Sequence, residues 1–222
     1  MAETQATELD GPRFGPATGG EADALVVMLH GLGADGNDLI GIAPVWAREM
    51  GSVAFASPNA PYPCDMAPFG RQWFSLQSRD PADMLAGIRG AAPMLNAFLD
   101  AELARLGLGA DKLALVGFSQ GTMMSLYTAL RRPAPVAGIV GYSGALIAGD
   151  LPDDPVTAKP PVLLVHGTAD EVVPFGAMEA AQTGLTAAGV AVESIARPGL
   201  GHGIDEVGLG AGAAFLRRVL GV

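Results

Sequence analysis

Half of the 222 residues are hydrophobic and only 16% are charged, a balance that excludes a disordered chain and fits one compact domain. Chains of this size bury roughly 70 to 75% of the surface they expose when unfolded, so a core needs neither disulfides nor a structural metal. The 13 Lys and Arg against 23 Asp and Glu leave a formal charge of −10, which argues against nucleic acid or anionic lipid as a main partner, both being polyanions.

Residues 1–20 lack a basic region followed by an apolar run and are expected to form a loosely ordered N-terminal segment, not a signal peptide. Short apolar runs then recur along the chain: ALVVMLH (24–30), VAFAS (53–57), KLALVGF (112–118), VAGIVGY (136–142), PVLLVHG (161–167) and VAVESIA (190–196). Their continuous hydrophobicity fits strands buried on both faces of a mainly parallel sheet. Helices are expected between them. Asn37 and Asp38 offer a cap for one running to about Met50, and Met84, Ile88, Ala92, Leu95, Leu99, Leu103 and Leu106 repeat at helical spacing along a second, where Pro93 predicts a kink. Three more are expected over 120–131, 175–188 and 206–220. Alternating strand and helix without repeats or linkers predicts a single α/β domain with helices on both faces of the sheet. Two long connections, 59–80 and 143–160, are rich in Pro, Asp, Ser or Gly and are candidates to shape a ligand site. The lone Cys64 has no internal partner, fits a reducing, cytoplasmic compartment, and reads as a small loop residue.

At the end of KLALVGF stands Gly117-Phe118-Ser119-Gln120-Gly121, a G-x-S-x-G pattern. With glycine at 31 of 222 positions, chance supplies about 0.16 copies, so the pattern draws its weight from lying between a strand and a helix. A sharp strand-to-helix turn there exposes the Ser119 hydroxyl at the carboxyl edge of the sheet, beside the positive end of a helix. A serine hydroxyl needs a base, usually a histidine oriented by a carboxylate. Of the three histidines, His30 and His166 end strands and fit turn or core roles. His202 lies in the loop PGLGHG between the last strand and last helix, free to reach a neighbouring strand end. Asp170 follows the strand PVLLVHG; Glu171 is its close competitor, while Asp150, Asp153 and Asp154 lie in a polar loop. The chain order Ser119, Asp170, His202 matches the α/β-hydrolase architecture.

The loop His30-Gly31-Leu32-Gly33-Ala34-Asp35-Gly36 also spells G-x-G-x-x-G after a strand. A dinucleotide site wants an acid at the end of the next strand, and VAFASPNA has none. The alternative is that the loop presents the Leu32 N–H, forming with the Gln120 N–H an oxyanion hole. Met66, Phe69, Trp73 and Phe74 place large apolar groups in an otherwise polar connection, either as a satellite cluster or as a substrate wall. The nine methionines, Met123 and Met124 included, read as core packing.

Together HGLGADG, SPNAP, RQWF, GFSQG, HGTADEVVP and GLGHGI, spanning residues 30–204, resemble the carboxylesterase and phospholipase family of small α/β hydrolases, which includes acyl-protein thioesterases. The resemblance implies an α/β-hydrolase fold with Ser119, Asp170 and His202 as triad and Leu32 and Gln120 as oxyanion donors. It also implies ester or thioester cleavage without cofactor or metal, and Trp73 near the acyl pocket, with Met66 and Phe69 as further candidates. Expected partners are a small-molecule ester and, from the resemblance, a second copy of the chain, with no nucleic acid and no stable membrane insertion. Competing readings are a serine peptidase on this fold, a silent ligand-binding module that keeps the pocket, and a dehydrogenase.

Overall fold

Alternate side chains of the strand Ala24–Leu29 (β2) enter different cores: Leu25, Val27 and Leu29 face one, Ala24, Val26 and Met28 the other. Both sets are fully buried, which is why the run is continuously apolar. A computed structural model describes residues 8–149, 151 and 153–222. Beside β2 the strands are Arg13–Phe14 (β1), Val53–Ala56 (β3), Tyr62–Pro63 (β4), Arg71–Gln72 (β5), Leu113–Phe118 (β6), Gly138–Tyr142 (β7), Val162–Gly167 (β8) and Val192–Arg197 (β9). Seven form one sheet in the order β1-β3-β2-β6-β7-β8-β9, parallel except for β1 at the edge. The helices are Gly36–Ile40 (α1), Ala43–Trp46 (α2), Pro81–Leu106 (α3), Gln120–Ala129 (α4), Gly176–Ala187 (α5) and Glu206–Leu220 (α6). The first core packs α3, α4 and α5 on one face through Leu95, Leu99, Leu126 and Leu185; the second packs α1, α2 and α6 on the other through Leu39, Trp46, Phe215 and Leu216. This is the α/β-hydrolase arrangement. Among the described residues, no helix is long and apolar enough to cross a membrane.

Every strand and the long helices expected from periodicity are present, and the differences have local causes. The helix expected over 37–50 is two short pieces, α1 and α2, with Pro44 in the first turn of the second. Its cap is not Asn37 or Asp38 but Asp35, whose carboxylate accepts from the Asn37 amide at 2.8 Å. Helix α3 continues through Pro93 as one element, capped by Asp80 at its start and by left-handed Gly107 at its end. The connection 59–80 contains the hairpin β4-β5, whose strands are too short to carry a periodic signal.

Of the N-terminal segment, residues 9–14 are tied to the sheet. Arg13 and Phe14 pair with Ala56 and Phe55, Leu9 is buried, and the Ser57 and Asn59 amides donate to the Pro12 and Asp10 carbonyls at 3.0 and 2.7 Å. The Arg13 guanidinium reaches Glu102 of α3 at 2.6 Å, and Arg105 reaches its other oxygen at 2.7 Å. Burial pushes the Glu102 carboxyl up, but the Arg13 and Arg105 hydrogen bonds outweigh it and hold the group below its usual range.

A carboxylate depressed on folding stabilises above its unfolded pKa, and that stability fades as pH falls through the folded value. Glu102→Gln is therefore expected to lose about 1 kcal/mol at pH 7, the two arginines being half exposed. The difference from the parent should shrink towards pH 3, as measured by urea denaturation across that range.

Candidate active site

At the carboxyl end of β6 the chain turns sharply into α4 at Ser119, whose φ of 54° and ψ of −117° lie where side chains rarely go. The turn is clamped. The Ser119 amide donates to the Tyr142 carbonyl at 2.9 Å, its carbonyl accepts from the Thr122 and Met123 amides, and the Thr122 hydroxyl lies 2.8 Å from the Gly117 carbonyl. Two flanking residues must be glycine. A Cβ on Gly121 would sit 1.8 Å from the Leu29 carbonyl oxygen, and one on Gly117 2.4 Å from the Thr122 nitrogen. Gln120 opens α4, where first-turn amides have no acceptor within the helix.

Two strands away, the Asp170 side chain is wholly buried. Its Oδ1 accepts from the Val172 and Val173 amides, each at 2.9 Å. Its Oδ2 accepts from His202 Nδ1 at 2.8 Å. Burial pushes this carboxyl up, yet the His202 hydrogen bond and the two amides outweigh it and hold it below the usual carboxylate range. With Nδ1 donating to a carboxylate, the neutral His202 ring carries its lone pair on Nε2. That ring packs on Phe118, the residue before Ser119, with centroids 4.8 Å apart. The loop bearing His202 is laced to the turn bearing Asp170: Ala169 N–H donates to Leu200 O, Thr168 N–H to Arg197 O and Gly199 N–H to the Thr168 hydroxyl, each at 3.0 Å. The approach is so close that a Cβ on Gly167 would fall 2.2 Å from Leu200 O. Behind the histidine, Arg197 and Asp205 pair at 2.8 Å, and Asp205 caps α6.

The rival residues are occupied elsewhere. Glu171 is exposed. Asp154 accepts from the Tyr127 hydroxyl at 2.6 Å and from Arg131 at 2.8 Å, while Asp153 pairs with Arg89; Asp150 lies outside the described residues. His30 is fully buried with Nδ1 on the Gly31 carbonyl at 2.7 Å and Nε2 on the Ala60 amide at 3.0 Å, which sets it as the Nδ1–H tautomer. Its burial pushes its pKa down.

The loop 30–36 is held in place by the connection that follows β3. His30 O accepts from the Trp73 indole at 3.0 Å, Gly33 N–H donates to Arg71 O at 2.9 Å and Arg71 N–H returns to Ala34 O at 2.8 Å. The Gly36 amide donates to the Asn59 side chain at 2.9 Å, and a Cβ on Gly36 would meet Ser57 O at 2.2 Å. Gly36 thus serves a close contact within the protein, and Gly33 a turn of positive φ. The Gln120 side chain takes the Trp73 amide at 2.8 Å and donates to the Phe74 carbonyl at 2.7 Å, tying the same connection to α4.

A cavity of about 390 Å³ opens beside Ser119 and His202. Gly31, Leu32, Met66, Leu76, Arg79, Met84, Phe118, Met123 and Val172–Pro174 are among the residues that wall it. Of the residues expected to bind substrate, Met66 borders the cavity and the other two do not. Trp73 has no exposed surface and packs in the core, and Phe69 is 74% exposed away from the cavity wall. An aromatic in a polar loop does not tell from sequence which side it faces. Met124 is core, as expected; Phe74, open between a satellite cluster and a substrate wall, joins the core, and Met123 is shared between core and cavity. Leu76, Met84 and Val172–Pro174 are not among the residues expected to bind substrate, although the last three begin two positions after Asp170. Among the described residues no three His, Cys, Asp or Glu side chains gather as a metal site.

One substitution made at two places tests the turn. Gly121→Ala is expected to destabilise by more than about 2 kcal/mol, because backbone must move. Gly90→Ala, in α3 with nothing within 4 Å of its Cβ position, should gain about 0.5 to 1 kcal/mol. Urea denaturation of both variants measures the difference.

Residues 17–220 match the family model described as Phospholipase/Carboxylesterase. Acyl-protein thioesterase 1 of Schizosaccharomyces pombe is 37% identical over 161 residues, covering 68% of this chain and 70% of the relative. Carboxylesterase SOBER1 of Arabidopsis thaliana is 30% identical over 213 residues, covering 90% of this chain and 92% of the relative. The crystal structure of esterase PE8 superposes with a TM-score of 0.91 at 42% identity, over 96% of this chain and all of that one. The chain belongs to the phospholipase/carboxylesterase family and is an esterase.

Proposed function

We propose that this esterase cleaves carboxylic esters of short to medium acyl chain through an acyl-enzyme on Ser119, with His202 as base and Asp170 as its orienting acid. The observation that carries the reading is His202, bonded at Nδ1 to a buried carboxylate while bordering the same cavity as Ser119. His202 Nε2 takes the Ser119 hydroxyl proton as Oγ attacks the ester carbonyl carbon, and the C=O electron pair moves onto oxygen. The N–H groups of Leu32 and Gln120 meet that oxyanion. As the tetrahedral species collapses, the acyl C–O bond breaks and His202 returns the proton to the departing alkoxide, freeing the alcohol. Water then attacks the acyl-enzyme by the same route and releases the acid. Asp170 holds the ring tautomer and offsets the imidazolium charge.

The apolar cavity of about 390 Å³ is at the small end of sites for small organic ligands, with Met66, Leu76 and Met84 as the acyl wall. A thioester would follow the same path, and the acyl-protein thioesterase relative makes it the second substrate class to assay.

Ser119→Ala and His202→Ala are each expected to lower kcat/KM at least 10³-fold on a p-nitrophenyl ester, and Asp170→Asn to cost less. Across p-nitrophenyl acetate to dodecanoate, kcat/KM should peak at short to medium chains. Undiminished turnover by Ser119→Ala would contradict the mechanism, and equal turnover of matched p-nitroanilides would favour a peptidase.

A further inference from the structure

His166 is one of two histidines the proposed reaction leaves unused, and it is not a plain core residue. It lies one position before the end of β8 with its side chain 1% exposed. Its ring meets Phe175 edge-on, with centroids 6.1 Å apart. Nε2 lies 2.8 Å from the Val173 carbonyl oxygen and 3.2 Å from Asp170 Oδ2. Both neighbours accept and neither can donate, so Nε2 carries the proton; its N–H is given to the Val173 carbonyl, with the Asp170 carboxylate in contact beside it. Oδ2 is the same oxygen that receives His202 Nδ1, and the amide of the same Val173 donates to Asp170 Oδ1. His166 thus lies against the carboxylate on one side and, through Val173, holds the turn that grips it on the other.

We propose that His166 is a positioning residue for the reaction: through its bond to Val173 it fixes the turn whose amides hold the Asp170 carboxylate towards His202, and it pins the Val172–Val173 wall of the cavity. This rests on the assignment of Ser119, His202 and Asp170 above. The chemistry favours imidazole over other side chains here. A buried lysine or arginine would bring a full charge, whereas a neutral ring delivers one N–H at a fixed reach from the strand. Glutamine carries an amide N–H at similar reach, and phenylalanine fills the same space with no donor. The two substitutions separate hydrogen bonding from packing.

The test uses the full chain with kcat, KM and thermal unfolding measured on p-nitrophenyl butyrate. His166→Phe is expected to unfold cooperatively and to lose at least tenfold in kcat, since small misplacements of reacting groups are costly, with a smaller change in KM. His166→Gln should recover most of the lost kcat. Overturning results are a Phe variant within threefold of the parent kcat, or Phe and Gln variants equally impaired. Should the Phe variant not fold, parent protein labelled with 15N-histidine decides, with the His166 signals assigned by their loss in His166→Gln. A ring protonated at Nε2 whose resonance moves in Asp170→Asn supports the proposal; protonation at Nδ1, or an unmoved resonance, overturns it. That spectrum does not depend on turnover, so a failed His166 contact is distinguishable from a failed assignment of Ser119, which would show as an active Ser119→Ala enzyme.

Discussion

Asp170 carries a charge into a place that water does not reach, and a buried carboxylate is tolerated only where the fold supplies donors for both oxygens. Its own turn provides two, the Val172 and Val173 amides. A third comes from further along the chain, His202, 32 residues on, while His166, near the end of the strand the turn leaves, lies against the same oxygen. Because the charge must be met, the loop carrying His202 cannot drift, and Gly167 has no side chain because that loop passes directly over it. The same demand that makes the carboxylate safe to bury presents the other nitrogen of His202 to the cavity.

The sheet turns this local demand into a site. Parallel strands deliver all their carboxyl ends to one edge, so the loop after β2, the turn after β6 and the turn after β8 share a rim although 140 residues separate His30 from Asp170. Each is stiffened from behind. The N-terminal segment supports Ser57 to Asn59, Asn59 and Arg71 hold the loop 33–36, and Gln120 ties Trp73 and Phe74 to the first turn of α4. Trp73 thus acts on the rim through its indole bond to His30 and not by touching what enters the cavity.

Much of this was legible in sequence for an identifiable reason. Strands covered on both faces are continuously apolar, so the six runs stood out, and a serine between two glycines gains meaning once a strand precedes it and a helix follows. The order Ser119, Asp170, His202 left few alternatives because the chain has three histidines. What stayed hidden depends on direction in space. Phe69 and Trp73 share one connection, yet one points to solvent and the other into the core, and nothing in their spacing distinguishes them. The strands β1, β4 and β5 have two residues each, too few for a period. Asp35 capped a helix for which Asn37 and Asp38 were equally plausible by type. His166 and Asp170 are four apart, a spacing that implies contact in a helix but carries no such meaning across a strand end and a turn.

The central claim is that Asp170 and His202 make the hydroxyl of Ser119 reactive in this fold, and covalent capture tests it most directly. A fluorophosphonate incubated with the folded protein, followed by peptide mapping by mass spectrometry, should leave its adduct on Ser119 and should react far more slowly with His202→Ala. An adduct on another residue, or an equal rate of labelling without the histidine, would contradict the account.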